Sequence, residues 1–426
     1  MHLKPHQCIA NFRRTELKNL ITLFDMKLKF ILIMILAAVA VQCSPKRDII
    51  SENVENAKIQ LKYLVEASEE GDTVRIPSTY KNGQIEFVPT DDWVSGFFAG
   101  TLWYMYELTG DEYWAEHAQK HTEVLDSIQY LTWHHDVGFM IYDSYGNGLR
   151  LKNIDGYEQV LVNTAKSLST RFRPNAGILQ SWNVNRGWQS KRGWQCPVII
   201  DNMMNLELLF KVTEFTGDST YAKIAISHAD QTLKNHYRDD YSTFHVVDYD
   251  DQTGEIRRRC TAQGYSDESA WARGQAWSIY GFTVAYRFTN DPKYLERAEK
   301  VADFLFNNPT MPEDLVPYWD FNAPNIPDEP KDVSSTAIIA SALYELYGYT
   351  GNNLYKEKAD KMIESLSSPA YRAAQGENGG FLLMHSVGSI PHGSNIDVPL
   401  NYADYYFLEA LIRKGHIEKN EAPVSK

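Results

Sequence analysis

One turn is written four times in this chain. Leu108-Thr109-Gly110-Asp111, Phe215-Thr216-Gly217-Asp218, Phe288-Thr289-Asn290-Asp291 and Tyr349-Thr350-Gly351-Asn352 share a pattern, and each is followed three residues later by Trp114, Tyr221, Tyr294 or Tyr355. In each copy an apolar residue closes a helix and Gly or Asn turns the chain. Asp or Asn then caps the next helix, which an aromatic anchors. This is a helical-hairpin device. It recurs at intervals of roughly sixty to a hundred residues, and a lone hairpin cannot bury its own apolar face. Helix pairs must therefore pack around a common axis. Elsewhere, apolar residues recur at helical spacing and sustained strand alternation is scarce.

The length decides how many pairs there are. About 380 residues beyond the leader divide into about twelve helices of ordinary size with their loops, which fits a double ring of six inner and six outer helices. No Pro/Ser linker divides the chain, so residues 44–426 read as one domain. The longer connections Tyr130–Asn147, Pro174–Pro197 and Met311–Pro330 are expected to gather at one end and build a cleft.

Residues 1–43 read as a leader. Lys27 and Lys29 precede the apolar run Phe30–Val41, too short to span a bilayer and suited to an export signal. Met26 just before it reads as the true start, with residues 1–25 an upstream extension. Cys43, followed by Ser44 and Pro45, resembles a bacterial lipoprotein signal, although Gln42 departs from the small residue expected before such a cysteine. The expectation is export to the periplasm, with a lipid anchor at Cys43 or without one. The leader carries six Lys/Arg and two Asp/Glu, so its removal takes the formal charge from −13 to −17. So acidic a chain does not bind nucleic acid by bulk attraction. Only Cys196 and Cys260 remain beyond the leader, too few for a disulfide framework or a metal cluster.

The most informative stretch is Thr261–Phe282, where a polar loop feeds a helix. Ser266, Asp267, Glu268 and Ser269 read as an N-cap and acidic first turn. Ala270, Gly274, Ser278 and Gly281 recur every three or four residues and would let a neighbouring helix approach closely. The large groups are Trp271, Arg273, Gln275, Trp277 and Tyr280. Indoles beside a guanidinium and an amide suit a sugar ring bearing a carboxylate, because aromatics stack on C–H faces and Arg forks onto the anion. An amphipathic core helix with a surface Arg is the competing reading.

Several segments in order then resemble one family. They are Asp92–Asp111, His134–Gly148, Pro197–Phe210, His245–Asp250, Thr261–Trp277, Val316–Phe321 and Asp397–Leu411, and together they are similar to the unsaturated glucuronyl hydrolases of glycoside hydrolase family 88. The resemblance implies an all-α (α/α)6 barrel. It also implies removal of a 4,5-unsaturated uronic acid from the non-reducing end of lyase-generated oligosaccharides, by hydration of the C4=C5 vinyl ether. That chemistry stands apart from the paired-carboxylate displacement of most glycosidases.

Carried onto this chain, the resemblance makes Asp201 the general acid/base. The apolar Val198-Ile199-Ile200 and the flanking Met203 and Met204 would desolvate it, and a second carboxylate would raise its pKa further. Without the resemblance, an Asp opening a helix reads as a cap. The second carboxylate is Asp136, in the run His134-His135-Asp136, with His135 beside it as a substrate contact. The run alone suggests a metal site, but adjacent loop histidines seldom converge on one ion and no further ligand cluster accompanies them. No metal or cofactor is therefore expected. Gly138 fits a tight turn presenting Asp136.

Trp93 and Trp271 are the expected stacking platforms, with Trp277 a third. His245, Gln263 and Arg273 are expected to contact hydroxyls and the carboxylate, Arg273 as counterion of the uronate. His245 reads equally well as a structural histidine. Tyr318, Trp319 and Asp320 are expected to pack around the cleft. The loop Gly376–Asp397 offers Ser386, Ser389 and His392 but no Lys or Arg, which leaves sulfate preference, the source polysaccharide and the oligomeric state open.

Two other readings compete. One is a related enzyme on the same barrel, an unsaturated rhamnogalacturonyl hydrolase or a sugar epimerase. The other is a surface lipoprotein that binds glycans without catalysis. An epimerase wants paired histidines and a binding protein wants no desolvated carboxylates, so the aspartate pair separates them.

Overall fold

A computed structural model describes residues 48–71 and 73–424. The leader, Met26 and Cys43 lie outside the described residues. Each of the four recurrent turns closes by the same bonds. Thr109, Thr216, Thr289 and Thr350 donate their hydroxyls to the carbonyl four residues back, and each hydroxyl accepts the backbone N–H of the Asp or Asn two residues on. Gly110, Gly217, Asn290 and Gly351 take left-handed φ between 53° and 73°. Asp111, Asp218, Asp291 and Asn352 then cap the next helix through its second N–H.

These turns join helices of two kinds. The outer helices are α1 (Ile49–Ser68), α3 (Glu112–Glu123), α5 (Tyr157–Ser169), α7 (Ser219–Asn235), α9 (Pro292–Asn307) and α11 (Asn353–Leu366). They bury a single stripe. In α9 it is Tyr294, Ala298, Val301, Ala302 and Leu305, spaced at three, four and seven residues. The inner helices are α2 (Ser95–Thr109), α4 (137–152), α6 (Leu206–Thr216), α8 (Ala272–Thr289), α10 (Val333–Thr350) and α12 (Asn401–Glu418). These are buried nearly all round. Neighbouring inner helices pack on one another in chain order, and α12 returns to α2, closing the ring. Among the described residues these twelve helices form an (α/α)6 barrel.

Inner helices approach closely where glycine allows it. A Cβ on Gly281 of α8 would lie 2.4 Å from Met203 Cβ, and one on Gly138 would lie 2.4 Å from Asn205 Oδ1. Gly138 is therefore required for close packing of α4 against the start of α6, and the tight turn expected there is absent. Two other expectations change. Much of Tyr130–Asn147 is helix, because α4 begins at Val137 and continues through a π-turn over Tyr142–Gly146. In addition, α8 starts at Ala272 after Trp271. Ser266 and Ser269 form a separate turn upstream that Asp320 holds.

Every short connection leads from an inner helix to an outer one, and every long connection leads back. All the long loops consequently sit at the end where the inner helices begin. They carry the small sheets: β1 (Ile76–Lys81) with β2 (Gln84–Val88), β3 (Phe172–Arg173) with β4 (Ile178–Leu179), antiparallel β5 (Cys196–Ile199), β6 (Val246–Tyr249) and β7 (Ile256–Cys260), and β8 (Ser386–Ser389) with β9 (Ser394–Val398). Cys196 and Cys260 are buried and unbridged.

Candidate active site

Six inner-helix N-termini converge at the loop end, and their unpaired N–H groups make that end positive. Asp201 lies in the 3-10 turn Ile200–Asn205 that links β5 to α6. Its side chain is 15% exposed, its Oδ2 has no hydrogen-bond partner, and burial pushes the carboxyl up to about 7. The charge of Asp136 pushes the same way, against the guanidinium of Arg273 and the indole N–H of Trp277. An acid poised at that value gives a proton at neutral pH and takes one back.

Asp136 ends the loop before α4 and has the opposite environment. His134 Nδ1 lies 3.3 Å from one oxygen and His135 Nε2 3.2 Å from the other. Burial would push its carboxyl up, but His135, His134 and Arg171 together hold it below the ordinary range. Asn205 approaches His135 Nδ1 at 3.3 Å, and burial lowers that imidazole to about 4. The neutral ring stands with Nε2 3.2 Å from Asp136 but without a hydrogen bond to it, and as a fully buried side chain it supports Asp136 and is not the substrate contact expected from the sequence. Two carboxyls whose pKa values are driven apart, one raised to about 7 and one held low, divide into an acid and a fixed charge.

His245, just before β6, settles its own tautomer. Nδ1 accepts the backbone N–H groups of Ala262 and Gln263 at 3.0 and 3.1 Å, so the proton resides on Nε2, 3.8 Å from Asp201 Oδ2. Burial keeps the ring neutral. One face of His245 is structural, as the sequence allowed, and the other is a free donor in the cleft.

The remaining expected residues divide. Trp93 is partly exposed, tilted against Tyr402 with ring centroids 5.0 Å apart. Gln263 is also partly exposed and reaches the Gly388 carbonyl at 3.4 Å. Trp271 departs from expectation. It is 2% exposed, packed between His245, 4.6 Å away, and the Arg273 guanidinium, 4.4 Å away, so no open face is left for a sugar. Arg273 departs too. It is 1% exposed, and its two Nη groups are engaged by Asp332 at 3.1 Å and by the carbonyls of Val387 and Gly388 at 2.5 and 2.6 Å, while the buried Nε has no partner. A guanidinium so engaged clamps β8 to α10 and acts on Asp201 through its field, not as a fork on the uronate. Trp277, 2% exposed, offers no stacking face; its buried indole N–H has no hydrogen-bond partner and only lowers the Asp201 carboxyl.

Tyr318, Trp319 and Asp320 pack as expected, with Asp320 accepting from Tyr265 N–H and Ser269. Among the described residues no three His, Cys, Asp or Glu side chains converge as metal ligands would. A cavity of about 970 Å³ lined by Glu207, Arg287, Glu409 and Arg413 lies at the opposite, turn end of the barrel, away from Asp201.

Four residues escaped the sequence reading. Asp92 has a pKa raised by burial and then by Asp136. Buried Arg171 ties Gln180, Ser181 and Thr132 together beside Asp136. Asp332 caps α10 and holds Arg273. Trp182 lies 6.0 Å from His245. Asp332 was detectable as a cap before Val-Ser-Ser, and Trp182 stands in a flagged loop. Nothing local distinguishes Arg171.

Comparison with known proteins agrees with this arrangement. The model of glycosyl hydrolase family 88 matches residues 70–413. An unsaturated glucuronyl hydrolase of Formosa agariphila is 47% identical over 332 residues, 78% of this chain and 82% of that protein. The crystal structure of a heparin-specific unsaturated glucuronyl hydrolase superposes with a TM-score of 0.83 at 43% identity, covering 88% of this chain and 99% of that one. A mutant unsaturated glucuronyl hydrolase from Streptococcus agalactiae, solved in complex with dGlcA-GalNAc6S, superposes with a TM-score of 0.70 at 29% identity, over 85% of this chain and 90% of the other. With a match spanning most of the barrel and both aspartates, the chain belongs to glycosyl hydrolase family 88.

Proposed function

We propose that this protein is an unsaturated glucuronyl hydrolase that removes the terminal 4,5-unsaturated uronic acid from lyase-generated oligosaccharides. The observation that carries the reading is the divergent pair: buried Asp201, its Oδ2 unpartnered and its carboxyl raised to about 7, so that a large share keeps its proton at neutral pH, and Asp136, held low by the groups around it. Addition of water across a vinyl ether needs one proton donor and no leaving group at the anomeric carbon. The Asp201 carboxyl delivers its proton to C4, and positive charge spreads over C5 and the ring oxygen. Ionised Asp136 and the carboxylate left on Asp201 stabilise that charge. Water adds at C5 and returns its proton to Asp201. The hemiketal opens to a ketone, leaving a hemiacetal at C1 that releases the remaining sugar.

His245 holds its Nε2–H toward the reacting face, and Trp93 with Gln263 borders the sugar. His135 orients Asp136. The uronate carboxylate is attracted by the inner-helix N-termini and by the field of Arg273. For localisation we infer export, supported by Lys27, Lys29 and the run Phe30–Val41, with a lipid anchor at Cys43 tested by labelling with a fatty-acid analogue.

The test is a panel of unsaturated disaccharides, following the ultraviolet absorbance of the conjugated double bond. Loss of absorbance together with release of the second sugar is expected. Release with the absorbance retained would mean displacement at C1 and would contradict the reading.

A further inference from the structure

The loop 182–195 and strand β7 are anomalous in so acidic a molecule. No Asp or Glu occurs between Glu158 and Asp201, nor between Glu255 and Asp267, although the chain carries 55 acidic residues and a formal charge of −13. The fold brings these two acid-free segments together. The Arg192 guanidinium donates to the Thr261 carbonyl just after β7, and Arg258 of β7 donates to the Arg192 carbonyl. Arg257 pairs with Asp248 at 2.7 Å. Among the described residues, Arg186, Lys191, Arg192 and Arg258 have no carboxylate partner, and all four are exposed.

Their placement relative to the aspartates matters more than their number. Arg186 lies over Trp133, 4.2 Å from the ring centroid, and Trp133 packs at 4.3 Å on His134, the neighbour of Asp136. Arg192 lies beside Thr261, whose hydroxyl is 3.5 Å from His245 Nδ1, and its charge acts on both His245 and His392. One loop therefore sets a guanidinium on the Asp136 wall and another on the His245 wall. Trp182 and Trp188, with centroids 5.0 Å apart, stand on the second wall, Trp182 6.0 Å from His245 and Trp188 4.8 Å from His392. Trp188 is 36% exposed.

We propose that this loop, with Arg258, forms a cationic shelf that takes an anionic group, a sulfate ester or a carboxylate, on the sugars leaving the unsaturated uronate. The inference rests on the hydrolase reading of the same cleft. Planar guanidiniums match such anions by paired N–H donors, and unpaired cations at the mouth raise the local concentration of an acidic oligosaccharide that the molecule as a whole repels. The indoles of this loop offer stacking to any pyranose, so the cations, not the indoles, discriminate.

The test compares kcat/KM for unsaturated disaccharides with a sulfated and an unsulfated second sugar, and for an unsaturated tetrasaccharide whose further uronate is its only other anion. It uses wild type, Arg186→Gln and the pair Arg186→Gln/Arg192→Gln. The shelf predicts that wild type prefers the anionic substrates and that this preference weakens with added salt. In the pair the preference falls roughly tenfold, through KM and not kcat. A fall for the sulfated disaccharide alone assigns the shelf to sulfate, and a fall for the tetrasaccharide alone assigns it to carboxylate. An unchanged ratio in both variants, or no preference in wild type, overturns the shelf.

Among the described residues Arg186 makes no side-chain hydrogen bond, so its single variant tests the shelf if the pair melts early. Calorimetric binding of the same oligosaccharides separates the two claims. Anion-dependent binding without turnover sinks the hydrolase reading, and turnover without anion dependence sinks the shelf.

Discussion

Asp201 and Arg273 show how far a side chain's role depends on what its neighbours leave free. Asp201 keeps an unpaired oxygen and a pKa near 7, so kcat/KM is expected to fall as pH rises above about 7, where the acid is lost. On the acidic side activity should persist below the ordinary aspartate range, because Asp136 stays ionised there. A pH–rate profile checks both limbs. The same shift has a sign for stability. Asp201 retains a proton that the unfolded chain gives up near pH 4, so its ionisation costs stability as pH rises from about 4 to about 7. Asp201→Asn should therefore melt higher than wild type at pH 7, by about 1–2 kcal/mol in denaturant unfolding. An equal or lower stability would mean the carboxyl is not desolvated. Arg273 has the reverse character. Its guanidinium is buried with Asp332 and two carbonyls, so Arg273→Ala leaves a buried carboxylate unpaired and should cost about 3–5 kcal/mol of stability as well as activity. A variant of wild-type stability with weakened substrate binding alone would restore the counterion role that the sequence suggested.

Among the elements, the recurrent turn was legible because all its bonds are local. Thr, Gly or Asn, and Asp or Asn sit within four residues, and the pattern fixes both helix ends without tertiary help. Asp218→Ala should cost about 1 kcal/mol, a normal N-cap loss, with little effect on turnover. Gly281→Ala meets Met203 and should cost about 1–3 kcal/mol by overpacking, despite alanine's better helix propensity. Thermal melts rank the two. The long loops were not legible in the same way. β5 pairs with β6 across some fifty residues, and Val246–Tyr249 is too short for alternation to register. The start of α8 was misplaced because Ser266–Ser269 has the composition of a cap while Asp320, far along the chain, bends it into a separate turn.

For the whole molecule, twelve helices and a closed ring followed from the repeat and the length, and the family resemblance agreed. The positions brought together at one end, Asp136, Asp201, His135, His245, Trp93, Gln263 and Trp277, came mainly from that resemblance. Only the loop-end gathering came from connection lengths. Which of them face the cleft depends on contacts such as Asp332 with Arg273, and these join residues about sixty apart. The barrel places acid, fixed charge and helix N-termini at one pole, so a single carboxyl should control the reaction. The decisive measurement is turnover of an unsaturated disaccharide by Asp201→Asn beside wild type, followed by loss of alkene absorbance with helical circular dichroism as a control. The account predicts a fall of more than about a thousandfold with the fold intact. Near-wild-type turnover would contradict it.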